Sequence, residues 1–271
     1  MPKPNPSPFL TLPPDLRLKI YTYILVSRIP IKGPSARQST TYDIHTAILR
    51  VNKQIHSEAR HVFFGLNTFH ITSSPGGDGE GEGAFEPPLQ LKDLGLVRRL
   101  VVDLVYWPRA GRKEGEEWVQ RRGAERYVTS LAFVLSAAKQ SLTSLQLLGD
   151  ARPYTTPSPS PQNEESPNPL DLKSFLTPFR AASHSRHFQS ALAALKIENV
   201  GVRFEFAEMW FDFCVRRDAL EEWSLEWLAA QVLVKRCEVG IWGVVEELGG
   251  MGEEGEGGEE MGFRGMDEGD M

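Results

Sequence analysis

Three short runs of period two recur along the chain, and they limit its fold more than any other feature. Residues 97–105 alternate with Leu100, Val102 and Leu104 on one side, the pattern of a half-buried strand. Residues 142–148 repeat it, and 195–198 and 202–206 are further strand expectations. The helical period predicts helices between them. One covers 116–140, with Val119, Tyr127, Leu131, Val134 and Leu135 inward. Others cover 170–182 and 188–194, and a last one covers 218–237, with Leu220, Trp223, Trp227, Leu228 and Val232 inward. Strands alternating with helices imply a layer of parallel strands joined by helical crossovers. A degenerate repeat, or a small mixed sheet with helices on one side, accounts for the same pattern. Leu100, Leu145 and Leu195 stand about 45–50 residues apart, a longer and looser spacing than that of leucine-rich repeats.

Three segments break this alternation. Residues 73–88 are rich in glycine and acid and too poor in apolar side chains to order themselves. Residues 152–169 are dominated by proline and serine and predict an extended loop. From 249 the chain is a low-complexity run of glycine and glutamate and is expected to be disordered. Net charge over the 271 residues is −6. The stretch 252–271 carries eight acids against Arg264, a net −7, which leaves +1 for the rest. A near-neutral body has no nucleic-acid footprint.

The amino-terminal residues 9–25 (Phe-Leu-Thr-Leu-Pro-Pro-Asp-Leu-Arg-Leu-Lys-Ile-Tyr-Thr-Tyr-Ile-Leu) predict an amphipathic helix. Pro13 and Pro14 suit its first turn, where a missing N–H costs nothing. Asp15 complements the positive end of the helix dipole. Leu12, Leu16, Ile20, Tyr23 and Ile24 fall on one face, with Arg17 and Lys19 off it. So short a helix is marginal alone and needs a partner for that face, either its own domain or another protein. Residues 43–64 bear a second stripe, Ile44, Ala47, Ile48, Val51, Ile55, Ala59, Val62 and Phe63. Asn52 is a candidate N-cap that divides it into two helices. Gly65 marks a stop, and 67–72 alternate as a strand.

Taken in order, these pieces resemble an F-box, in particular the diverged F-box-like domains of filamentous fungi. Leu12-Pro13 match the Leu-Pro pair that opens the motif. Leu16, Ile20 and Ile24 match its apolar helix positions. Val51-Asn52-Lys53-Gln54-Ile55 stands where Val-Cys-Arg-x-Trp usually stands, and the phrase from Ile48 to Ala59 followed by Phe63 to Phe69 is similar to the fungal version. The resemblance covers about a quarter of the chain. Two departures accompany it. Ile55 replaces the usual aromatic, and the insert between Ile24 and Asp43, with Pro30, Gly33 and Pro34, is long for an F-box. The resemblance implies a non-catalytic adaptor that docks on the small adaptor subunit of a cullin-type ubiquitin ligase through Leu12, Pro13, Leu16, Ile20, Ile24, Val51 and Ile55. A target protein, unnamed by the sequence, is then recruited by the remainder. A scaffold with the same fold and no ligase partner is the alternative, and an enzyme of unrecognised type is the third.

Motifs that would argue for catalysis are missing. There is no Gly-x-x-x-x-Gly-Lys-Ser/Thr string, no Gly-x-Ser-x-Gly and no His-Glu-x-x-His. His184 and His187 have helical spacing but no accompanying cysteine or carboxylate cluster, so surface histidine is the better reading than metal ligation. Cys214, after Trp210-Phe211-Asp212-Phe213, is expected to be buried. The C-terminal tryptophans and phenylalanines are read as core, with partner anchoring as the alternative. Two cysteines cannot build a disulfide scaffold. No signal-like start and no membrane-length apolar run occur, so cytoplasm or nucleus is expected, with no membrane and no cofactor.

The expectation is therefore α+β: an F-box-like helical module over 1–72, a flexible acidic loop over 73–94, an irregular α/β region resembling a degenerate leucine-rich repeat over 95–248, and a disordered tail over 249–271.

Overall fold

The computed structural model describes residues 7–33, 40–74, 84–86, 89–104, 117–151, 172–206, 209–222 and 224–248. Helix α1 (Pro14–Leu25) is followed by a 3-10 turn (Thr46–Arg50), α2 (Lys53–Leu66), β1 (Thr68–Ser74) and β2 (Ala84–Glu86). A second 3-10 turn (Leu91–Leu96), β3 (Arg99–Asp103), α3 (Glu117–Ala138) and β4 (Ser144–Asp150) come next. The chain then runs through α4 (Leu172–His184), α5 (Arg186–Ala193), β5 (Asn199–Glu205), β6 (Trp210–Arg216), α6 (Ala219–Glu222) and α7 (Leu225–Leu248). The architecture is α+β.

One sheet, in the order β2-β1-β3-β4-β5-β6, organises the molecule. Its four central strands are parallel and pair in chain order. β2 and β6 close the two edges antiparallel. Parallel neighbours need long crossovers, and α3 supplies one while α4 and α5 supply the next. α3 packs on α4 and α5, and α4 packs on α7, so these helices form one layer. Beneath it the register aligns Phe69, Leu100 and Leu145 in one row and Ile71, Val102, Leu147 and Val202 in the next, all buried. Further along, Phe179 of α4 and Phe204 of β5 close over Gly149. A Cβ there would stand 2.7 Å from the Phe179 ring and 2.9 Å from Phe204, so only glycine lets α4 approach. On the opposite face of the sheet His70 Nε2 meets Asp103 Oδ1 at 2.5 Å, tying β1 to β3.

The expected strand over 97–105, the helix over 116–140, the strand over 142–148 and the helices over 170–182 and 188–194 all have counterparts. Others differ. Residues 44–50 contain a single 3-10 turn rather than a full helix. Residues 195–198 are not a strand; the strand begins at Asn199. The aromatic run 210–216, read as a packing cluster, is the edge strand β6. Cys214 alternates to its solvent side and is exposed, not buried. Trp227 is 47% exposed, whereas Leu220, Leu228 and Val232 are buried as expected. Within the loop expected over 73–94, residues 84–86 and 91–96 are ordered elements. The expected segments 152–169 and 249–271 lie outside the described residues.

The expected boundary near residue 72 falls inside β1. That strand pairs with β3 through Phe69–Leu100 and Ile71–Val102, and one hydrophobic core runs from Tyr21 to Leu233. The insert after α1 is likewise drawn into the sheet. Ile31 bridges to β1, its N–H donating to Thr68 O at 2.8 Å and its carbonyl accepting from His70 N at 2.9 Å. Together with β2 this covers the outer edge of β1, which would otherwise present unpaired backbone groups. Asn67, 1% exposed, holds the insert's start. It accepts from Ser27 N and donates to the carbonyls of Leu25 and Phe63.

Candidate functional site

Helix α1 starts as its prolines dictate, with Pro13 at the N-cap and Pro14 at the first helical position. It packs on α2, but not by the face that the apolar spacing favours. The buried side chains are Arg17, Tyr21 and Leu25, at i, i+4 and i+8. Their packing turns the other side outward.

Arg17 explains this choice. Its guanidinium lies 7% exposed against Glu58 of α2. Nε donates to Glu58 Oε2 at 2.9 Å and Nη2 to Oε1 at 2.8 Å, a planar two-point pair. Nη1 donates to the carbonyls of Leu10 and Leu12, fastening the turn before the helix. Tyr21 OH donates to Glu58 Oε2 at 2.9 Å and Gln54 Nε2 to Oε1 at 3.0 Å. Phe9 packs at a tilt against the Tyr21 ring, 5.7 Å between centroids. Arg17's hydrogen bonds hold the Glu58 carboxyl down to about 2, helped by those from Gln54 and Tyr21. Burial, then the bond to Glu58, pushes the Tyr21 hydroxyl up to about 12. The bond to Glu58 likewise raises Arg17. The network is thus charged and saturated, and it fixes the rotation of α1 about its axis.

The outer side of α1 bears an apolar stripe beside the exposed Asp15, Lys19 and Thr22. Leu16 is 45% exposed, Ile20 36% and Tyr23 88%. Ile24 is half-buried at its margin and packs on the core. Leu12 is half-buried and Pro13 exposed at the head of the helix. Leu18, which the spacing left off this stripe, is also exposed. Val51, 63% exposed, stands on a separate element at the end of the first 3-10 turn. That turn packs on α2, and its approach is joined to α1 by His45 N donating to Ile24 O. Asn52 caps α2 as expected, accepting from Ile55 N at 2.8 Å. Ile55 itself is 2% exposed. It is a core residue of α2 and drops out of the docking set.

Elsewhere the chemistry is structural. Tyr127 OH donates to Asp103 O at 2.6 Å and is buried, which pushes it well above its ordinary value; it ties α3 to β3. A cavity of about 310 Å³ lies among Ser183, Gln189, Ser190, Ala193, Leu220 and Ser224. Ser183 and Ser224 already accept from the backbone N–H groups of Glu226 and Trp227, and Gln189 donates to Ala182 O. His184 lies beside Glu226, not beside a metal-ligating partner set. Among the described residues no group of three His, Cys, Asp or Glu is placed to hold a metal ion, and no helix is long and apolar enough to cross a membrane.

No family model, no curated protein and no solved structure matches this chain.

Proposed function

We propose that this chain is a non-catalytic F-box-like adaptor working in the cytoplasm or nucleus. Leu16, Ile20 and Tyr23, with Leu12, Pro13, Ile24 and Val51 around them, dock on the small adaptor subunit of a cullin-type ubiquitin ligase. The sheet and its helices, a degenerate leucine-rich-repeat-like region in this reading, hold the target protein.

One observation carries the proposal. α1 is locked by the Arg17–Glu58 pair in the rotation that leaves its apolar stripe in water. Clustered exposed apolar side chains on a fixed helix are a mark of an interaction surface. Sequential parallel strands with helices between them support the leucine-rich-like reading of the remainder. A second reading, a scaffold with no ligase partner, is favoured by the reduction of the middle helix to one 3-10 turn and by the burial of Ile55.

Co-purification decides between them. Leu16→Asp with Ile20→Asp should abolish capture of the small adaptor subunit while leaving thermal unfolding cooperative. Retained capture by the folded double variant removes this surface from the proposal. Absence of any cullin component with the wild-type chain selects the scaffold.

A further inference from the structure

β6 (Trp210–Arg216) ends the sheet beyond β5, and no described residue pairs with its far edge. The ladder fixes which backbone groups face that way. Phe206 N donates to Met209 O at one end of the β5–β6 pair, and Arg217 N donates to Glu198 O at the other, both at 2.8 Å. In an antiparallel pair, bonded and non-bonded residue pairs alternate. Phe211, Phe213 and Val215 therefore direct their backbone groups at Phe204, Val202 and Val200, while Asp212 and Cys214 turn theirs outward. Among the described residues nothing bonds to those outward groups. The far edge of β1, by contrast, is covered by Ile31 and β2. The side chains at the β6 edge are open as well. Asp212 and Cys214 are exposed on one face, and on the helix side Phe213 and Val215 are only half-buried where they pack on the core. An open edge strand is a template for another strand.

We propose that the open edge of β6 pairs with β6 of a second copy of the chain, antiparallel, about a two-fold axis that passes through Phe213 normal to the sheet. The direction follows from the two faces. A two-fold normal to the sheet keeps the row of Phe211, Phe213 and Val215 of both copies on the helix side, whereas parallel pairing about a two-fold along the strand turns one row to the opposite face. The register follows from the strand. With the axis at Phe213 all 7 residues of β6 have a counterpart. Asp212 of each copy then exchanges backbone bonds with Cys214 of the other. Phe213 meets Phe213 and Phe211 meets Val215, the aromatic and β-branched pairs that stabilise a sheet. Moving the axis to Asp212 sets two carboxylates face to face, and moving it to Cys214 leaves Trp210 beyond the end of the other strand. A second copy fits this edge better than a flexible peptide, because β6 is already extended against β5 and gives up no backbone freedom on pairing. The joined edge is about 24 Å long and one strand deep. It is smaller than the roughly 800 Å² per partner of a standard stable interface, so the dimer is weak and depends on concentration.

Sedimentation equilibrium of the full chain from about 2 to 200 µM measures this directly. A monomer–dimer equilibrium within that range is expected. Cys214→Pro removes an outward N–H and none that β5 uses, and should raise the dissociation constant at least tenfold. Asp212→Cys tests the register whether or not the proline variant folds. It sets a thiol opposite Cys214 of the second copy, in a bonded pair whose Cα atoms stand about 5.5 Å apart, within the span of a disulfide. Oxidation by diamide, which takes up the two electrons and two protons, should give a covalent dimer much faster than in wild type, with peptide mapping placing the bond between positions 212 and 214. Leu16→Asp with Ile20→Asp should change neither readout. A wild-type chain that stays monomeric throughout overturns the proposal and leaves the edge to an extended segment of another protein. A dimer indifferent to Cys214→Pro, in a variant that still unfolds cooperatively, overturns it as well. A dimer in which Asp212→Cys forms no 212–214 bond overturns the antiparallel register.

Discussion

Glu58→Gln tests whether α1 is held in place by charge. Glutamine keeps the length of the side chain and much of its packing, but it sets an NH2 group against a guanidinium that needs two acceptors at 2.8–2.9 Å. In the folded chain the Glu58 carboxyl is held down to about 2, against an ordinary 4.5, chiefly by Arg17. Each unit of such a difference corresponds to about 1.36 kcal/mol. The Glu58 side chain is 30% exposed, however, and water screens the pair. The expected contribution is therefore about 1–2 kcal/mol, well under the full linkage value. The folded value is the lower one, so the unfolded chain takes up the proton first as pH falls. The stabilisation is complete above about pH 4.5 and is lost as the pH falls through about 2. Urea midpoints of wild type and variant at about pH 7, 5, 4 and 3 follow the effect. The variant should be less stable by about 1–2 kcal/mol at the two higher values, with the gap closing by more than half at about pH 3. A gap of constant size would show that packing alone is lost. No gap at neutral pH would refute the role given to Arg17 in orienting the helix.

Two further predictions concern the same region. Asn67→Ala removes a buried amide that serves Ser27 N, Leu25 O and Phe63 O, and should cost roughly 2–4 kcal/mol of unfolding free energy in a denaturant titration; a loss below about 1 kcal/mol would mean that the insert after α1 contributes little to the sheet edge. Ile55→Ala should cost about 2–5 kcal/mol as a core truncation, whereas Val51→Ala should stay within about 0.5 kcal/mol; equal losses would contradict the assignment of one to the core and the other to the surface.

The elements that were legible in the sequence are those whose pattern has a single reading. The strand at 99–103 is a short β-branched and leucine run with Leu100 and Val102 on one side, and the helix at 117–138 is too long for any other period. Asn52 could be named as a cap because the residue type and the break in the stripe agreed. β6 carries the same alternation in Phe211, Phe213 and Val215, but aromatic side chains in such a run suit a packed cluster as well as a strand. The turn at 46–50 follows a helical stripe but has little chain in which to form one. His45 is bound to the end of α1, and Val51 leads at once into the Asn52 cap.

Helix α1 shows why spacing alone cannot orient a helix. Leu16, Ile20 and Ile24 keep the i, i+4, i+8 interval, and so do Arg17, Tyr21 and Leu25. Counting apolar residues favours the first set, since an arginine is costly to bury without a partner. That partner, Glu58, is 41 residues away, and nothing local announces it. Once the pair forms, with Leu10 and Leu12 carbonyls and the Tyr21 hydroxyl completing it, the polar cost of the second face is met. The helix then settles with Arg17, Tyr21 and Leu25 inward, and the leucine and isoleucine that spacing would have buried remain outside. The surface assigned to a partner is thus a consequence of an ion pair, which is why its loss at Glu58 should loosen the helix before it touches the stripe itself.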